Sequence, residues 1–325
     1  MRLSIHTESW PAARPFRITG REWLSFESVV VELAEGGAIG RGEALGVFYH
    51  DETAASLAAQ IEQVAERVEA GIDRAALAAV LPPGGARNAI DCALWDLESK
   101  ASGKRIFELA GVEPRTLTSV YTISIEATPE RMAAHAASAA SCPLLKVKLD
   151  GHQPLERMRA IREARPDARI VVDANQGWTL AQLKSLAPAF ANLGVEMIEQ
   201  PLPRGADAEL EDYRSPVPLG ADESCLHLGE LEAAARRYQV INIKLDKTGG
   251  LTHALELARA ARSRGLGLMV GCMGGSSLSI APAFVVGCLV DLVDIDGPLL
   301  LKRDRMPGLT FDRGQVHPPD ASVWG

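Results

Sequence analysis

Seven positions recur along the second half of the chain at a nearly constant interval. Lys148, Asp173, Glu199, Asp222, Lys244, Gly271 and Asp296 are separated by 25, 26, 23, 22, 27 and 25 residues. Each stands at the end of a short apolar or β-branched run. The runs are Val120–Ile125 (which has no such residue), Leu144–Leu149, Arg169–Val172, Val195–Ile198, Val217–Gly220, Val240–Ile243, Leu266–Val270 and Leu289–Ile295. Alanine-rich helical segments lie between them, among them Pro154–Ala164, Leu180–Leu193, Gly229–Tyr238 and Leu251–Arg264. Strands that alternate with helices pair in parallel, because each return crossing needs a helix. Eight such units predict a closed (β/α) barrel, and in a parallel barrel every strand ends at the same mouth. The charged residues are therefore expected to meet in space. Folding does not explain them, since unpaired buried charge is costly.

Residues 1–113 have a different texture and read as α+β. Phe26–Leu33 is strand-like, Glu35-Gly36-Gly37-Ala38 signals a turn, and Ile39–Glu43 returns. A helix is predicted from Asp51 to Glu69, with Asp51 or Thr53 as its N-cap and Leu57, Ile61, Val64 and Val68 on one face. A second, Ala86–Ala101, follows the breaker Pro82-Pro83-Gly84-Gly85.

The composition narrows the function classes. Lys+Arg 34 against Asp+Glu 42 leaves a net charge of −8, with 5% aromatics and no basic stripe, which argues against nucleic-acid binding. The five cysteines are scattered, with no C-x-x-C, so reduced thiols in a cytoplasmic protein are expected. Gly265–Val290 carries no charge over 26 residues, long enough to span a bilayer, but glycines and Pro282 interrupt it. It reads as strand, glycine loop, helix and strand in a buried core, with no membrane insertion.

Asp173, Glu199 and Asp222 come from three neighbouring strands. Converging carboxylates repel unless neutralised, and oxygen-only ligation favours Mg²⁺ or Mn²⁺ over zinc. The alternative is that each acid caps a helix or pairs with a surface lysine. Lys146 and Lys148 alternate onto one side of their strand, the barrel interior or mouth, and Lys244 lies across the barrel. Two lysines facing each other over a metal point to two-base proton transfer, with pKa values lowered towards neutrality. Asp294 and Asp296 repeat the same-face pattern, away from the three other acids. They suit a substrate ammonium, a second metal, or pairing with Lys302 or Arg303.

These motifs resemble the enolase superfamily, in its muconate-lactonizing subgroup, and are most similar to the dipeptide epimerases of the L-Ala-D/L-Glu type. The likeness runs through Arg87–Asp96, Leu145–Asp150, Val172–Asn175, Ile198–Leu202, Ala221–Ser224, Asn242–Leu251 and Asp294–Pro298. A lysine base working with Mg²⁺ is an established pattern of that superfamily rather than a result of the spacing. The resemblance implies a modified (β/α)7β barrel over residues 114–301 under an α+β capping domain, 1–113, to which the tail 302–325 returns. It implies Lys148 and Lys244 as acid/base catalysts, Lys146 as an aid to the substrate carboxylate, and Mg²⁺ on Asp173, Glu199 and Asp222. Asp294 and Asp296 would take the dipeptide ammonium. Thr122 and Cys272 match substrate contacts, and Asn175 and Glu223 would support the ligands. The reaction implied is 1,1-proton transfer at the C-terminal residue through an enediolate. Murein-peptide recycling and a homo-oligomer are implied with it.

One position departs from the pattern. Glutamate-specific relatives carry an arginine in a cap loop between the first two strands, where this chain has Trp23. Either Arg17 or Arg21 substitutes, or Trp23 lines an apolar pocket for a hydrophobic C-terminal residue. The other reactions of the subgroup (cycloisomerisation, o-succinylbenzoate synthesis, N-acyl amino acid racemisation) lack the free ammonium that Asp294 and Asp296 suit. A non-catalytic binding barrel would not need opposed lysines.

Overall fold

The computed structural model describes all 325 residues. The chain opens with an antiparallel sheet of β1 (Arg2–Ile18), β2 (Arg21–Glu35) and β3 (Ala38–Ala44), with β2 in the centre. The length of β1 was not foreseen, because Pro11 and Pro15 interrupt its pattern. An edge strand tolerates proline, since its outward side has no partner to bond, and the pairing slips between Pro11 and Phe16.

Helices α1 (Ala54–Gln63), α2 (Ala65–Glu69), α3 (Arg74–Val80), α4 (Gly85–Ser102) and α5 (Ile106–Ala110) complete the cap. Thr53 caps α1 in a reciprocal box with Ser56. The single helix expected over 51–69 is broken at Val64, which leaves helical geometry at φ −109° and ψ 4°. Val29, Val31 and Leu33 pack with Leu57, Ile61 and Ile90, while Val30 on the opposite face joins the barrel core. A strand buried on both faces reads as a continuous apolar run, which is how Val29-Val30-Val31 looks in sequence. Gly40 and Gly42 let α4 lie directly on β3. A Cβ at either would collide with the carbonyl of Ala93 or Ala89.

After the short β4 (Leu117–Thr118), eight parallel strands form one sheet. They are β5 (Tyr121–Ile123), β6 (Leu144–Lys148), β7 (Arg169–Asp173), β8 (Val195–Glu199), β9 (Leu219–Ala221), β10 (Val240–Ile243), β11 (Gly267–Val270) and β12 (Leu292–Val293), each beside the next. A parallel bridge between Ser119 and Val293 brings the two ends of the sheet together. The crossovers run through α6 (Pro129–Ser138), α7 (Pro154–Ala164), α8 (Leu180–Asn192), a 3₁₀ turn at Ala208–Asp212, and α9 (Leu231–Arg237). Then come α10 (Leu245–Thr248) with α11 (Leu251–Ser263), and α12 (Ser277–Gly287). No helix follows β12 into another barrel strand, so the architecture is the expected (β/α)7β. The uncharged stretch 265–290 is β11, a glycine loop and the buried α12, and no helix is long and apolar enough to cross a membrane. The five cysteines are unpaired.

Polar bonds tie the cap to the barrel mouth. Arg87 donates to the carbonyls of Thr248 (2.6 Å) and Gly249 (3.2 Å), and Asp246 accepts from the amides of Leu45 and Gly46. In the tail, β13 (Phe311–Asp312) pairs with β14 (Gln315–Val316), which pairs in turn with β4, and Trp324 Nε1 donates to the Arg41 carbonyl at 3.0 Å.

Candidate active site

The strand ends meet as the spacing predicts. Lys146, Lys148, Asp222, Glu223, Lys244 and Asp294 line one cavity with Thr122, Asn175, Cys272 and Asp296. Asp173 and Glu199 are fully buried beside it. Lys148 on β6 and Lys244 after β10 stand four strands apart in an eight-stranded ring, so they face each other from opposite walls. Gly271, the one uncharged strand end, leaves room for Lys244. A Cβ there would lie 2.9 Å from Lys244 Cε and 2.7 Å from Asn242 Oδ1.

The lysines are buried and paired, not at the surface. Lys148 Nζ donates to Asp173 Oδ2 at 2.6 Å, and Lys244 Nζ to Asp222 Oδ2 at 2.8 Å. Lys146 Nζ lies 2.6 Å from Asp294 Oδ2, 2.8 Å from Glu199 Oε2 and 3.1 Å from Asp173 Oδ2. Two expectations are corrected here. Asp294 does not stand apart from the other acids or pair with Lys302 or Arg303, because Lys146 joins it to them. The Lys244 pKa is not lowered towards neutrality. Burial pulls it down, but the adjacent Asp222 carboxylate outweighs burial and holds it above the ordinary lysine value.

Asn175 supports Asp173 through its backbone amide (2.9 Å) and side chain (3.3 Å). Asp296 Oδ2 accepts from the Thr122 amide at 2.7 Å. Sequence reasoning missed Lys247 and Asn242. Lys247 Nζ donates to Asp222 Oδ1 at 2.7 Å and to three backbone carbonyls, and Asn242 Nδ2 donates to Glu199 Oε1 at 2.7 Å. Asn242 was within reach of the same alternation that paired Lys146 with Lys148, since it sits two residues before Lys244.

The charges do not balance. Asp173, Glu199, Asp222, Glu223, Asp294 and Asp296 are buried around Lys146, Lys148, Lys244 and Lys247, so six carboxyl groups meet four ammonium groups. Burial and the Asp173 charge push the Glu199 carboxyl up to about 7. Burial and Asp222 push Glu223 up to about 8, and burial and Asp294 push Asp296 up to about 7. By contrast, Lys148 and Lys146 outweigh the burial of Asp173 and hold it at about 2. Glu223 Oε2 is buried without a hydrogen-bond or ion-pair partner, whereas Glu199 Oε2 meets only the Lys146 ammonium. In this conformation no three acidic, histidine or cysteine side chains surround a common point. Lys146 Nζ sits between Asp173 and Glu199, and Asp222 turns to Lys244 and Lys247. The oxygen-only donors, the unpartnered Glu223 Oε2 and the excess of carboxyl over ammonium groups nevertheless fit a hard divalent cation.

The outer wall of the cavity is aromatic. Phe16, Trp23, Phe26 and Phe48 line it, with Trp23 edge-on to Phe48 at 5.1 Å between ring centroids. Trp23 lies on β2, paired with Phe16, and not in a loop as expected, because the hairpin turns at Thr19–Gly20. Arg17 does not reach the cavity, being ion-paired with Glu22 at 2.8 Å near solvent. Arg21 lays its guanidinium over the rings of Trp23 and Phe48, 4.8 and 4.7 Å from their centroids, without lining the cavity.

Known proteins resemble this chain in sequence and fold. Residues 1–111 match the mandelate racemase/muconate lactonizing enzyme N-terminal domain, and residues 130–322 match the enolase C-terminal domain-like family. The chain belongs to the enolase superfamily. It is 44% identical to an L-Ala-D/L-Glu epimerase of Escherichia coli over 97% of this chain and 99% of that one. It is 40% identical to an N-acetyl-D-glutamate racemase of Pseudoalteromonas (91% and 95% covered) and 35% identical to a hydrophobic dipeptide epimerase of Roseobacter litoralis (98% and 97%). Among solved structures, an enolase-family member from Agrobacterium tumefaciens with bound sodium and L-Ala-L-Glu superposes with a TM-score of 0.97. It is 43% identical, with 99% of each chain covered. A dipeptide epimerase from Methylococcus capsulatus, complexed with Mg and L-Arg-D-Lys, superposes at 0.88, with 30% identity over 98% and 96%.

Proposed function

We propose that this superfamily member is a Mg²⁺-dependent dipeptide epimerase acting at the α-carbon of the C-terminal residue, with L-Ala-D/L-Glu as substrate. The observation that carries the reading is the pair Lys148 and Lys244, set on opposite walls of one cavity with the acids between them. One lysine removes the α-proton from its face, and the other returns a proton to the opposite face, inverting the centre. Lys146 holds the substrate carboxylate near the acids. Asp294 and Asp296 receive the substrate ammonium, which no N-acyl substrate possesses, with Thr122 and Cys272 beside it. Asp173, Glu199 and Asp222 would hold one Mg²⁺, or Mn²⁺ in its place, with Asn175 and Glu223 in support; the ion would stabilise the negative charge of the enediolate. Murein-peptide recycling in the cytoplasm, by a homo-oligomer, is the setting proposed with this activity.

A second reading has a specific observation in its favour. The wall of Phe16, Trp23, Phe26 and Phe48 suits an apolar C-terminal side chain, because Arg17 is engaged elsewhere and Arg21 lies on the rings. Incubating the enzyme with a dipeptide library and Mg²⁺ in deuterated water tests both. The expected result is deuterium at the C-terminal α-carbon together with the epimer. No incorporation into any dipeptide overturns the epimerase, and the ranking of glutamyl against leucyl or phenylalanyl ends decides between the two readings.

A further inference from the structure

Gln200 follows Glu199 at the end of β8 and is completely buried. Its backbone is left-handed, at φ 35°, a region that residues other than glycine rarely adopt. Such a conformation persists only where its surroundings fix it. Here the Gln200 amide donates to the Gly220 carbonyl, and its carbonyl accepts from the Gln176 amide, each at 2.8 Å. The side chain then crosses to the end of the next strand. Oε1 accepts from the amides of Asp222 and Ser224, both at 3.0 Å. Nε2 donates to the Leu202 carbonyl at 2.8 Å, to Ser224 Oγ at 2.8 Å and to Tyr238 Oη at 3.1 Å.

These partners leave the side-chain amide one orientation. A backbone N–H can only donate and a carbonyl can only accept, so Oε1 faces Asp222 and Nε2 faces Leu202. Tyr238 and Ser224 accept from Nε2 and pass their own hydroxyl protons to Asp207 Oδ2, at 2.7 and 2.6 Å. Arg237 donates to Asp207 Oδ1 at 2.9 Å. Burial raises the Tyr238 hydroxyl above the ordinary tyrosine value, so it keeps the proton that it donates. Every donor from the Asp222 amide through Gln200 and Tyr238 therefore points toward one carboxylate. Asp207 and Tyr238 are each 1% exposed, and Asp207 opens the 3₁₀ turn Ala208–Asp212 that stands in place of an α-helix between β8 and β9.

We propose that Gln200 is a positioning residue for Asp222, and that Tyr238 and Asp207 lock it in place, so that the cation affinity of the acid cluster depends on side chains that touch neither cation nor substrate. The inference rests on the reading of Asp173, Glu199 and Asp222 as the cation's ligands. Gln200 joins two of those three: it is the chain neighbour of Glu199 and holds Asp222 by its amide.

The test titrates Mn²⁺ into the full-length protein and reads bound ion by electron paramagnetic resonance. Tyr238→Phe removes one hydroxyl and should weaken binding about fivefold, within the range of one neutral hydrogen bond. Gln200→Met keeps the length but loses the acceptor, and should weaken it about tenfold or more. In the Gln200→Met background, Tyr238→Phe should add no further loss, because its effect passes through Gln200. Unchanged affinity in Tyr238→Phe, or the same loss in both backgrounds, overturns the proposal. Hydrogen exchange of wild type and Tyr238→Phe, followed by mass spectrometry, needs neither the ion nor a Gln200→Met protein that folds. The segment holding the Asp222 and Ser224 amides should exchange about fivefold faster in Tyr238→Phe, with β5 and β6 unchanged. If wild type binds no Mn²⁺, the metal reading fails, and this exchange decides the positioning role alone: equal rates in the two proteins remove it.

Discussion

Lys146 Nζ and Asp294 Oδ2, 148 residues apart in the chain, are 2.6 Å apart at the centre of the barrel mouth. The same ammonium touches Glu199 and Asp173, so one lysine stands where several acids would otherwise repel. Breaking a buried pair by removing one partner costs about 3–5 kcal/mol. Lys146→Met is therefore expected to unfold at lower temperature in the absence of divalent metal. Mg²⁺ should recover more stability in the variant than in wild type, because it supplies charge to the same carboxylates. Thermal melts with and without Mg²⁺ check this, and equal Mg²⁺-dependent shifts in both proteins would contradict it.

Inversion through opposed bases needs both lysines in every turnover. Lys148→Ala and Lys244→Ala should each lower epimerisation by about 100-fold or more, the scale of positioned acid–base catalysis. Proton NMR of product formation is the readout, and full activity in either variant would refute the two-base scheme.

Trp23 occupies the wall where a cation would meet an acidic side chain. Trp23→Arg is expected to raise the glutamyl-to-leucyl ratio of kcat/KM by about tenfold, since one hydrogen bond to a charged group is worth ~1.5–3 kcal/mol. A ratio that does not change would show that Trp23 does not set specificity.

Asp91 links the cap to α11, accepting from Thr252 Oγ1 at 2.6 Å and from its amide at 3.0 Å. Burial raises its carboxyl to about 6, although the Thr252 bonds oppose that rise. The folded state therefore binds this proton more tightly than the unfolded chain, whose aspartate titrates near 3.9. The contribution is fully present below about 4 and is lost as pH rises through about 6. Asp91→Asn keeps a group that can both donate and accept but cannot ionise. Its melting temperature relative to wild type should rise between pH 4.5 and 7.5, and a difference that stays constant over that range would rule the effect out.

Much of the barrel was legible because strands and helices announce themselves through local periodicity. Val240–Ile243 and Pro154–Ala164 appear in the structure with the bounds read from sequence, and Lys148, Asp173, Glu199, Asp222 and Lys244 converge as equal spacing in a parallel barrel requires. The cap was less legible. The prolines of β1 hid a strand that its edge position permits, and Val64 breaks what looked like one helix.

Sequence by itself determined which side chains reach the mouth, since a strand's alternation and a repeat's length are properties of the chain read locally. Only the tertiary structure decided how those side chains pair. Lys146 clasps Asp294, Lys247 and Lys244 share Asp222, Trp23 joins an aromatic wall from a strand, and Arg17 turns away to Glu22. These contacts join residues as close as three positions and as distant as 148. Which partners meet is set by barrel closure and by the balance of buried charge, and no local pattern records either.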